Sequence, residues 1–353
     1  MRYLILFSWL YFGVVYGCTD FVIQTRERQY VNGRSLEFAI DIQSALKMFS
    51  RGQKGVSSNP QQGQGVQWVS KHGFIAVTCF GKNIVLDGMN EKGLGFGYLW
   101  LPGCTQYPEL KPQEMGMALD FLDMGSWVLG NFSSVAEVKA ALAGVRIWGH
   151  DLPPLGTTPV HATIHDSEGN HLVVEFVGGA MQVYDNPVAV LTNSPPFNWQ
   201  LTNLQNYVSL NAENAPPVAF GSLNVSPPGE GSGLMGIPGD WTPPSRFVKI
   251  ATYLRMVKKP ANAEEGVNLA EHLLNTVDIP MGGVRDNGKP SDYTQWVVIK
   301  DLNNKAFYFR SYRGTTIKKI DLKKIDFKKV LTKEMPLMGA GCVDVTSEWI
   351  NRQ

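Results

Sequence analysis

The sequence has no excess of charge of either sign. It holds 32 lysines and arginines against 31 aspartates and glutamates, and charged residues make up only 18% of its 353 positions. A neutral balance gives no electrostatic case for binding nucleic acid or an anionic membrane surface, so we expect neither partner. The 44% hydrophobic content is ordinary for a globular chain.

Motifs of several common enzyme and metal-site classes are also missing. The four cysteines include no Cys-x-x-Cys pair, which excludes a zinc ribbon. There is no Gly-x-Ser-x-Gly segment of a serine hydrolase, and no glycine-rich phosphate loop precedes a helix. His161, His165 and His171 are close in sequence, but no carboxylate pattern completes a metal site, and structural or solvent-facing histidines are expected. We therefore expect no metal and no cofactor.

The first 17 residues have the composition of a secretory signal peptide. Arg2 is their one charged residue, residues 3–16 are largely apolar, and Val15 and Gly17 are small residues before a plausible cleavage point. Cleavage after Gly17 makes Cys18 the first residue of a mature protein that we expect to be periplasmic or secreted. A cysteine with a free α-amino group combines a nucleophile and a base in one residue.

Three other interpretations of Cys18 stay open at this point. The apolar run is short for a membrane span, but an uncleaved anchor is possible. Residues 15–18, Val-Tyr-Gly-Cys, resemble the lipobox of a bacterial lipoprotein, in which a lipid would block both the sulfur and the amine, although Tyr16 is a poor fit. Cys18 also fits one half of a structural disulfide, since the chain has three further cysteines, Cys79, Cys104 and Cys342.

The rest of the chain shows no linker, repeat or low-complexity tract, and we predict a single domain over residues 18–353. Short apolar runs predict antiparallel strands, with two hairpins over residues 161–176 and 295–312. Segments 52–65 and 225–239 are rich in glycine and are predicted as loops. Helices are predicted over residues 114–129, 134–143, 199–210, 246–258 and 263–277. This grouping of strands and helices indicates an α+β protein.

A series of short motifs in a fixed order resembles the choloylglycine hydrolase family, which holds bile salt hydrolases and penicillin V acylases. Those enzymes begin with Cys and reach a Gly-Arg-x-(Met/Leu)-Asp block, which reads Gly-Arg-Ser-Leu-Glu here at 33–37. Further motifs follow in the family's order: Asn-Glu-Lys-Gly-Leu at 90–94, Leu-Trp-Leu-Pro-Gly at 99–103, Leu-Thr-Asn-Ser-Pro at 191–195, Gly-Ile-Pro-Gly-Asp at 236–240 and Pro-Ser-Arg-Phe at 244–247. The ordered set covers the mature chain and is more specific than any one block.

The resemblance implies a fold, a reaction and a class of substrate. The fold is the four-layer αββα sandwich of N-terminal-nucleophile hydrolases, and the reaction is cleavage of linear amide C–N bonds through a thioester on cysteine. The expected substrates are small N-acyl amides: glycine- or taurine-conjugated bile acids, phenoxymethylpenicillin or N-acyl homoserine lactones. Two rival interpretations remain, a lipid-anchored protein and a binding protein that keeps the fold without the activity.

The resemblance also assigns functions to residues of the first two strands. Cys18 supplies the sulfur, and its α-amine takes the thiol proton and later protonates the leaving amine. Arg34 would favour the thiolate, unless it forms a surface ion pair with Glu37. Glu37 stands where the family has Asp, and it would hold the Cys18 ammonium or pair with Arg34 or Arg246. Asp20 points to the same strand face as Cys18 and is a second candidate for orienting the amine.

Three later residues complete the expected site. Asn193 lies at a strand end, and its side-chain amide is a typical oxyanion donor, with an Asx turn as the alternative. Trp100 stands where bile salt hydrolases carry Asn, and its backbone N–H would reach the oxyanion or its ring would shape the acyl pocket, unless it is ordinary core. Arg246 begins a helix and would link Cys18 with the acidic residue, or lie on a solvated face.

The stretch between Asn193 and Arg246 is long and has little periodic structure. In the bile salt hydrolase branch of the family, a segment at this place looks like an arm that reaches a neighbouring subunit. The apolar side chains of Val218, Phe220 and Leu223 would be better buried against a partner than left in water. We therefore expect a homo-oligomer, a tetramer with two-fold axes.

Overall fold

The computed structural model describes residues 17–152, 156–285, 291–329 and 335–337. The predicted signal peptide, apart from Gly17, lies outside the described residues, and so does Cys342. In chain order the strands are β1 Cys18–Gln24, β2 Tyr30–Phe38, β3 Ala45–Phe49, β4 Lys54–Ser58, β5 Gln64–Val69, β6 Phe74–Cys79, β7 Ile84–Asn90, β8 Gly95–Trp100, β9 Ala118–Asp120, β10 Arg146–Trp148, β11 Asp151–Leu152, β12 Gly156–Thr157, β13 Val160–His165, β14 His171–Val177, β15 Ala180–Asp185, β16 Val190–Leu191, β17 Val218–Phe220, β18 Leu223–Val225, β19 Tyr293–Asp301, β20 Ala306–Ser311, β21 Gly314–Asp321 and β22 Met335–Pro336. The α-helices are α1 Phe121–Asn131, α2 Val135–Leu142, α3 Phe197–Asn203, α4 Pro243–Met256 and α5 Ala263–Asn275.

The first large sheet is antiparallel and has Cys18 at the start of its second strand. Its six strands run in the order β16-β1-β2-β19-β20-β21. Cys18 pairs with Leu36 across β1 and β2, and it therefore shares a sheet face with Arg34, two residues before Leu36. Glu37 pairs with Thr294 across β2 and β19 on the opposite face. The side chains of Cys18 and Glu37 therefore lie on opposite faces of the first sheet.

The second large sheet lies against the first. Its eight strands run in the order β15-β14-β13-β8-β7-β6-β3-β22. Alternate residues of β6 enter two different cores: Ile75 and Val77 pack in one hydrophobic cluster with residues of β1, β2 and β19. Phe74 and Ala76 pack in a second cluster with residues of α1 and α2. A strand that is apolar on both faces is expected where a sheet is covered on both sides.

Helices cover the outer face of each sheet. Helix α5 packs on β2 and β19, and α4 packs on β1 and β16. Helix α1 packs on β7 and β8, and α2 packs on β14. The layers follow as helices, sheet, sheet and helices, which confirms the predicted αββα sandwich. No helix within residues 17–152, 156–285, 291–329 and 335–337 is long and apolar enough to cross a membrane.

Several local predictions are confirmed by element boundaries. The two hairpins are β13–β14 and β19–β20, both antiparallel. Helix α2 begins after Ser134, whose side chain accepts a hydrogen bond from the Glu137 backbone N–H. A serine cap satisfies one of the free N–H groups at a helix start, and so the predicted start at this residue was correct.

Two predicted elements were wrong. The helix expected over 114–129 begins only at Phe121, because residues 118–120 form β9, which pairs in parallel with β10, and Asp120 caps the helix through the Leu122 N–H. The expected loop 52–65 contributes instead to the antiparallel pair β4–β5. Its turn is held by Asn59, whose Oδ1 accepts from the backbone N–H of Gly63 at 2.9 Å. Composition alone did not separate this hairpin from a loop.

Candidate active site

Cys18 is buried at the N-terminal end of β1, with 4% of its surface exposed. It is a free thiol, as are Cys79 and Cys104, so none of these three forms the disulfide that remained an alternative. Burial raises the pKa of the Cys18 thiol, and Arg34 and Arg246 act in the opposite direction. The Cys18 backbone N–H donates to Asn193 Oδ1 at 2.7 Å. Gly17 is still attached here, so this nitrogen is an amide and stands in for the α-amine that cleavage would release.

Arg34 lies on the thiol side of the first sheet. Its Nη2 is 3.8 Å from Cys18 Sγ, and the same nitrogen donates to the Tyr98 carbonyl. Its Nη1 is 3.2 Å from Asp87 Oδ2, and Asp87 in turn binds the buried Lys300 at 2.7 Å. Arg34 is fully buried, which excludes the alternative of a surface ion pair with Glu37. A fixed cation beside the sulfur favours the thiolate.

Glu37 lies on the opposite face of β2. Its Oε1 accepts a hydrogen bond from Thr294 Oγ1 at 2.9 Å, and its Oε2 has no hydrogen-bond partner within the described residues. Burial raises the pKa of Glu37 to about 7, against the attraction of Arg246. Glu37 is one methylene longer than the family's Asp. It thus holds a buried carboxyl oxygen that can accept a further hydrogen bond.

Asn193 follows β16, the edge strand that pairs with β1. The pairing of Asp20 with Leu191 places Asn193 opposite Cys18 when the ladder is extended by two residues. Asn193 Oδ1 accepts from the Cys18 N–H and from Arg246 Nη2, both at 2.7 Å. Its Nδ2 donates to the Trp100 carbonyl at 2.7 Å. One of the two Nδ2 hydrogens of Asn193 is therefore used by the Trp100 carbonyl. Donation to an oxyanion by the second hydrogen stays a prediction.

Arg246 connects the N-terminal residues to helix α4. Its Nη1 donates to the Cys18 carbonyl and, at 2.7 Å, to Thr19 Oγ1. Its Nε donates to the Trp241 carbonyl at 2.9 Å. Arg246 is fully buried, so the alternative of a solvated helix face is wrong. Burial lowers the pKa of Arg246, while the charge of Glu37 opposes that shift. The guanidinium fixes the position of the backbone around Cys18.

The contacts of Asp20 do not support its expected function at the amine. Asp20 is buried, and its Oδ1 lies 2.6 Å from His165 Nε2, while its Oδ2 accepts from Asn32 at 3.0 Å. Burial raises the pKa of Asp20, but His165 and Lys300 outweigh it, so the pKa is lowered. Both carboxylate oxygens are therefore used inside the sheets, and Asp20 stabilises the layer next to the site.

His161, His165 and His171 make their polar contacts within the fold. His161 is buried, with Nδ1 2.9 Å from Glu175 and Nε2 3.0 Å from the Thr192 carbonyl, and it supports the residue next to Asn193. His165 binds Asp20, as given above, and lies 3.1 Å from His171. No group of three or more His, Cys, Asp or Glu side chains within the described ranges is arranged to hold a metal ion.

Trp100 borders an almost wholly apolar cavity that reaches Cys18. Its ring packs edge-on against Phe38 at 5.9 Å between centroids. The cavity reaches from the Cys18 thiol towards helix α1 and is lined by residues of both large sheets. Its lining residues are Cys18, Leu36, Phe38, Ile42, Cys79, Phe80, Ile84, Leu86, Tyr98, Leu99, Trp100, Phe121, Leu122, Leu152, Thr158 and Val160. The cavity can hold an apolar acyl group next to the Cys18 thiol.

Comparison with known proteins decides the family. Residues 18–336 match the model of linear amide C–N hydrolases, choloylglycine hydrolase family. The chain belongs to this family. It is 33% identical over 314 residues to a bile salt hydrolase/transferase of Clostridium perfringens, covering 86% of this chain and 92% of that protein. It is 27% identical over 336 residues to a penicillin V acylase of Pectobacterium atrosepticum, covering 88% and 82%.

Solved structures of choloylglycine hydrolases share the fold. A variant of conjugated bile acid hydrolase from Clostridium perfringens aligns with a TM-score of 0.82 at 29% identity, covering 93% of this chain and all of that one. Penicillin V acylase from Agrobacterium tumefaciens aligns with a TM-score of 0.73 at 24% identity over 88% of each chain. The chain is thus a hydrolase of linear amide bonds with the N-terminal-nucleophile fold.

In this choloylglycine hydrolase, the structure brings together five of the seven predicted site residues around the N-terminus: Cys18, Arg34, Glu37, Asn193 and Arg246. Trp100 joins them through its carbonyl and through the acyl cavity. Sequence reasoning missed Asp87, Lys300 and Thr294, which hold the side chains of Arg34 and Glu37. Each lies in a strand-like run without any motif, and only the sheet register shows that it faces the site.

Proposed function

We propose that this chain is a cysteine N-terminal-nucleophile hydrolase, exported and released from its leader at Cys18. The observation that carries the proposal is the placement of one residue: the Cys18 sulfur lies beside Arg34, and the Cys18 nitrogen lies against Asn193. Thiol and nitrogen are thus held in a single geometry by groups that are themselves buried. A nucleophile and a base fixed next to each other are what amide hydrolysis requires.

The reaction proceeds in two stages. The free α-amine of Cys18 takes the proton of its own thiol, and Sγ attacks the amide carbonyl to form a tetrahedral oxyanion. The ammonium then gives its proton to the leaving nitrogen, the C–N bond breaks, and the acyl group remains on Sγ as a thioester. A water molecule, deprotonated by the same amine, attacks the thioester and releases the carboxylic acid and the thiol. Asn193 donates to the oxyanion with its remaining amide hydrogen.

The cavity favours an acyl group with few hydroxyls. Among its polar atoms, the Tyr98 hydroxyl already donates to the Phe121 carbonyl at 2.7 Å, and burial raises the pKa of the Cys79 thiol to about 12, so this thiol stays neutral. Thr158 Oγ1 has no partner within the described chain, so it can pair with one substrate hydroxyl. A steroid with several hydroxyls would leave some of them unpaired, at about 1–3 kcal/mol each. N-acyl homoserine lactones and phenoxymethylpenicillin fit this lining better than conjugated trihydroxy bile acids.

A matched substrate pair tests this preference. We expect an N-acyl homoserine lactone with an unsubstituted chain to have a kcat/KM about tenfold or more above that of a dihydroxy compound of equal length, because Thr158 can pair with only one of the two hydroxyls. Hydrolysis is followed by release of the free amine. Phenoxymethylpenicillin and a glycine-conjugated trihydroxy bile acid complete the panel. Faster turnover of the trihydroxy bile acid than of both other classes would contradict the preference.

We also propose that the segment between Asn193 and Arg246 contacts a second copy of the chain in a homotetramer. It forms the hairpin β17–β18, whose apolar residues Val218, Phe220 and Leu223 are 53%, 67% and 63% exposed. An isolated two-stranded hairpin is marginally stable in water, and these side chains gain free energy when a partner covers them. The two-fold symmetric assembly would bury the hairpin of each chain on its neighbour.

Light scattering on the mature protein tests the assembly. We expect a tetramer for the native chain and a smaller species for Phe220→Asp or for a chain without residues 211–224, because the apolar contact is removed. Asn224→Asp on the same hairpin is the matched control, since Asn224 is polar and exposed. A native chain that is monomeric at micromolar concentration would show that the hairpin does not join subunits and would favour a lid over its own site.

A further inference from the structure

Asp292 lies beside the residue that precedes the nucleophile. It is 4% exposed and stands two residues before Thr294, on the strand face that also carries Glu37. The backbone N–H of Gly17 lies near the Asp292 carboxyl and acts to lower its pKa. Its Oδ1 has no hydrogen-bond partner within the described residues. A buried carboxylate oxygen without a donor is costly, and it indicates a partner that arrives later.

Glu37 borders Gly17 from another side. The Glu37 backbone N–H donates to the Gly17 carbonyl at 2.8 Å. A Cβ placed on Gly17 would lie 3.4 Å from Glu37 Oε2 and 3.4 Å from Arg246 Nη2, so both groups stand against Gly17. Glu37 Oε2 and Asp292 Oδ1 are the two carboxylate oxygens here that lack a donor. Gly17 therefore occupies a small polar space between two acids.

Removal of Gly17 changes this space in a definite way. Asp292 loses the nearby backbone N–H of Gly17, and the Cys18 nitrogen becomes an ammonium group or an amine. Three covalent bonds separate the nitrogens of Gly17 and Cys18, so the two atoms are at most about 3.7 Å apart. A water molecule at the former position of the Gly17 nitrogen would reach Asp292 and the Cys18 amine together. Such a buried water needs two to four polar partners, and Asp292, Glu37 and the amine supply them.

We propose that Asp292 is a positioning residue for the α-amine of mature Cys18, acting with Glu37 through the space that Gly17 leaves. This inference rests on the proposed release of Cys18 from its leader. The structure assigns the pair to one function: it stabilises the ammonium that forms when the amine takes the thiol proton. The family has one shorter acid, an Asp, at the position of Glu37. Here Glu37 and Asp292 together supply the negative charge that stabilises the ammonium.

The electrostatics agree with this geometry. Burial, and after it the negative charge of Glu37, raises the pKa of Asp292 to about 7, with Arg246 opposing. Glu37 has a similarly raised pKa, also from burial, with Asp278 as a smaller contribution. The charged and titratable groups that face the pair are thus Arg246 of α4, Asp278 after α5 and the Cys18 amine. Two acids in this state accept a nearby cation readily, since an opposite charge favours their ionised forms.

The test compares Asp292→Asn with the native protein after correct processing. We expect kcat to fall by about tenfold, the effect of removing one charge at roughly 6 Å in a partly screened interior. Loss of a negative charge makes the ammonium less stable, so the amine loses its proton at lower pH. The acidic limb of the kcat/KM profile should therefore move to lower pH by about 0.5–1 unit. Asp292→Glu should restore part of kcat and return the limb towards its native position.

A second readout separates this inference from the proposed function. The pH profile of Cys18 alkylation by iodoacetamide, with the modified peptide identified by mass, needs no amide substrate and should shift in the same direction. Asp185→Asn is the matched control, because Asp185 is exposed, binds Lys139 at 2.7 Å and should leave both profiles unchanged. If the native enzyme is active and has a free α-amine at Cys18, unshifted pH profiles in Asp292→Asn would overturn the positioning function of Asp292 and leave the proposed function standing. A native protein without activity or without a free amine would instead overturn the proposed function.

Discussion

Protein that retains Gly17 in front of Cys18 is expected to lose amide hydrolysis by about 10²–10⁴-fold, the usual contribution of a positioned general base. The amide nitrogen that remains in such a chain has no lone pair available to take the thiol proton. Its contacts with Asn193 are already those of a folded site, so the chain should stay folded. The loss should therefore appear in kcat without a fall in the unfolding temperature.

The measurement uses two expressed forms that differ by one residue, Met-Gly17-Cys18 and Met-Cys18, from which the initiator methionine is removed. Mass spectrometry confirms each N-terminus before turnover is compared. Cys18→Ser tests the sulfur separately, because a hydroxyl is a much weaker nucleophile at neutral pH. Cys104→Ser is the matched control, since this free cysteine lies outside the acyl cavity. Equal turnover by the form with Gly17 would exclude the α-amine as the base.

Replacement of Asn193 by alanine is expected to lower kcat by about 10²–10³-fold, as loss of a single oxyanion donor does elsewhere. Alanine removes the acceptor of the Cys18 nitrogen and of Arg246. It also removes the donor to the Trp100 carbonyl. Because these contacts join three elements at one side chain, the loss should fall on kcat more than on KM.

Single-turnover kinetics with thermal unfolding check this expectation. Asn198→Ala, the same substitution at an exposed position five residues later, should keep full activity. Thermal unfolding shows whether a loss of activity in Asn193→Ala comes from unfolding at the assay temperature. A folded Asn193→Ala variant with nearly native kcat would show that Asn193 neither positions the amine nor stabilises the oxyanion.

The local part of this site could be predicted from the sequence because it is carried by neighbouring strands. Cys18, Arg34 and Glu37 lie within one strand-turn-strand segment, and a period of two residues fixes their faces once the register is known. The Ser134 cap and the two hairpins could be predicted for the same reason, because helix caps and turns depend on residues that are close in sequence.

The distant part could not be predicted, because its partners come from strands far along the chain. Asp20 was expected at the amine on the strength of its strand face, but its partner His165 is 145 residues away. Asp87 reaches Arg34 only after β7 of the second sheet packs on the first. Asp292 has no motif at all, and its closeness to Gly17 follows from the pairing of β19 with β2. Tertiary packing, rather than local pattern, decides these contacts.

The central claim is that mature Cys18 carries both the nucleophilic sulfur and the free amine. The most direct measurement quenches the reaction in acid during turnover of a slow amide substrate and analyses the N-terminal peptide by mass. We expect a peptide that begins at Cys18, has a free α-amine and carries the substrate's acyl group on sulfur as a thioester that hydroxylamine removes. A peptide that keeps Gly17, that carries a lipid on Cys18, or that never gains the acyl group during turnover would contradict it.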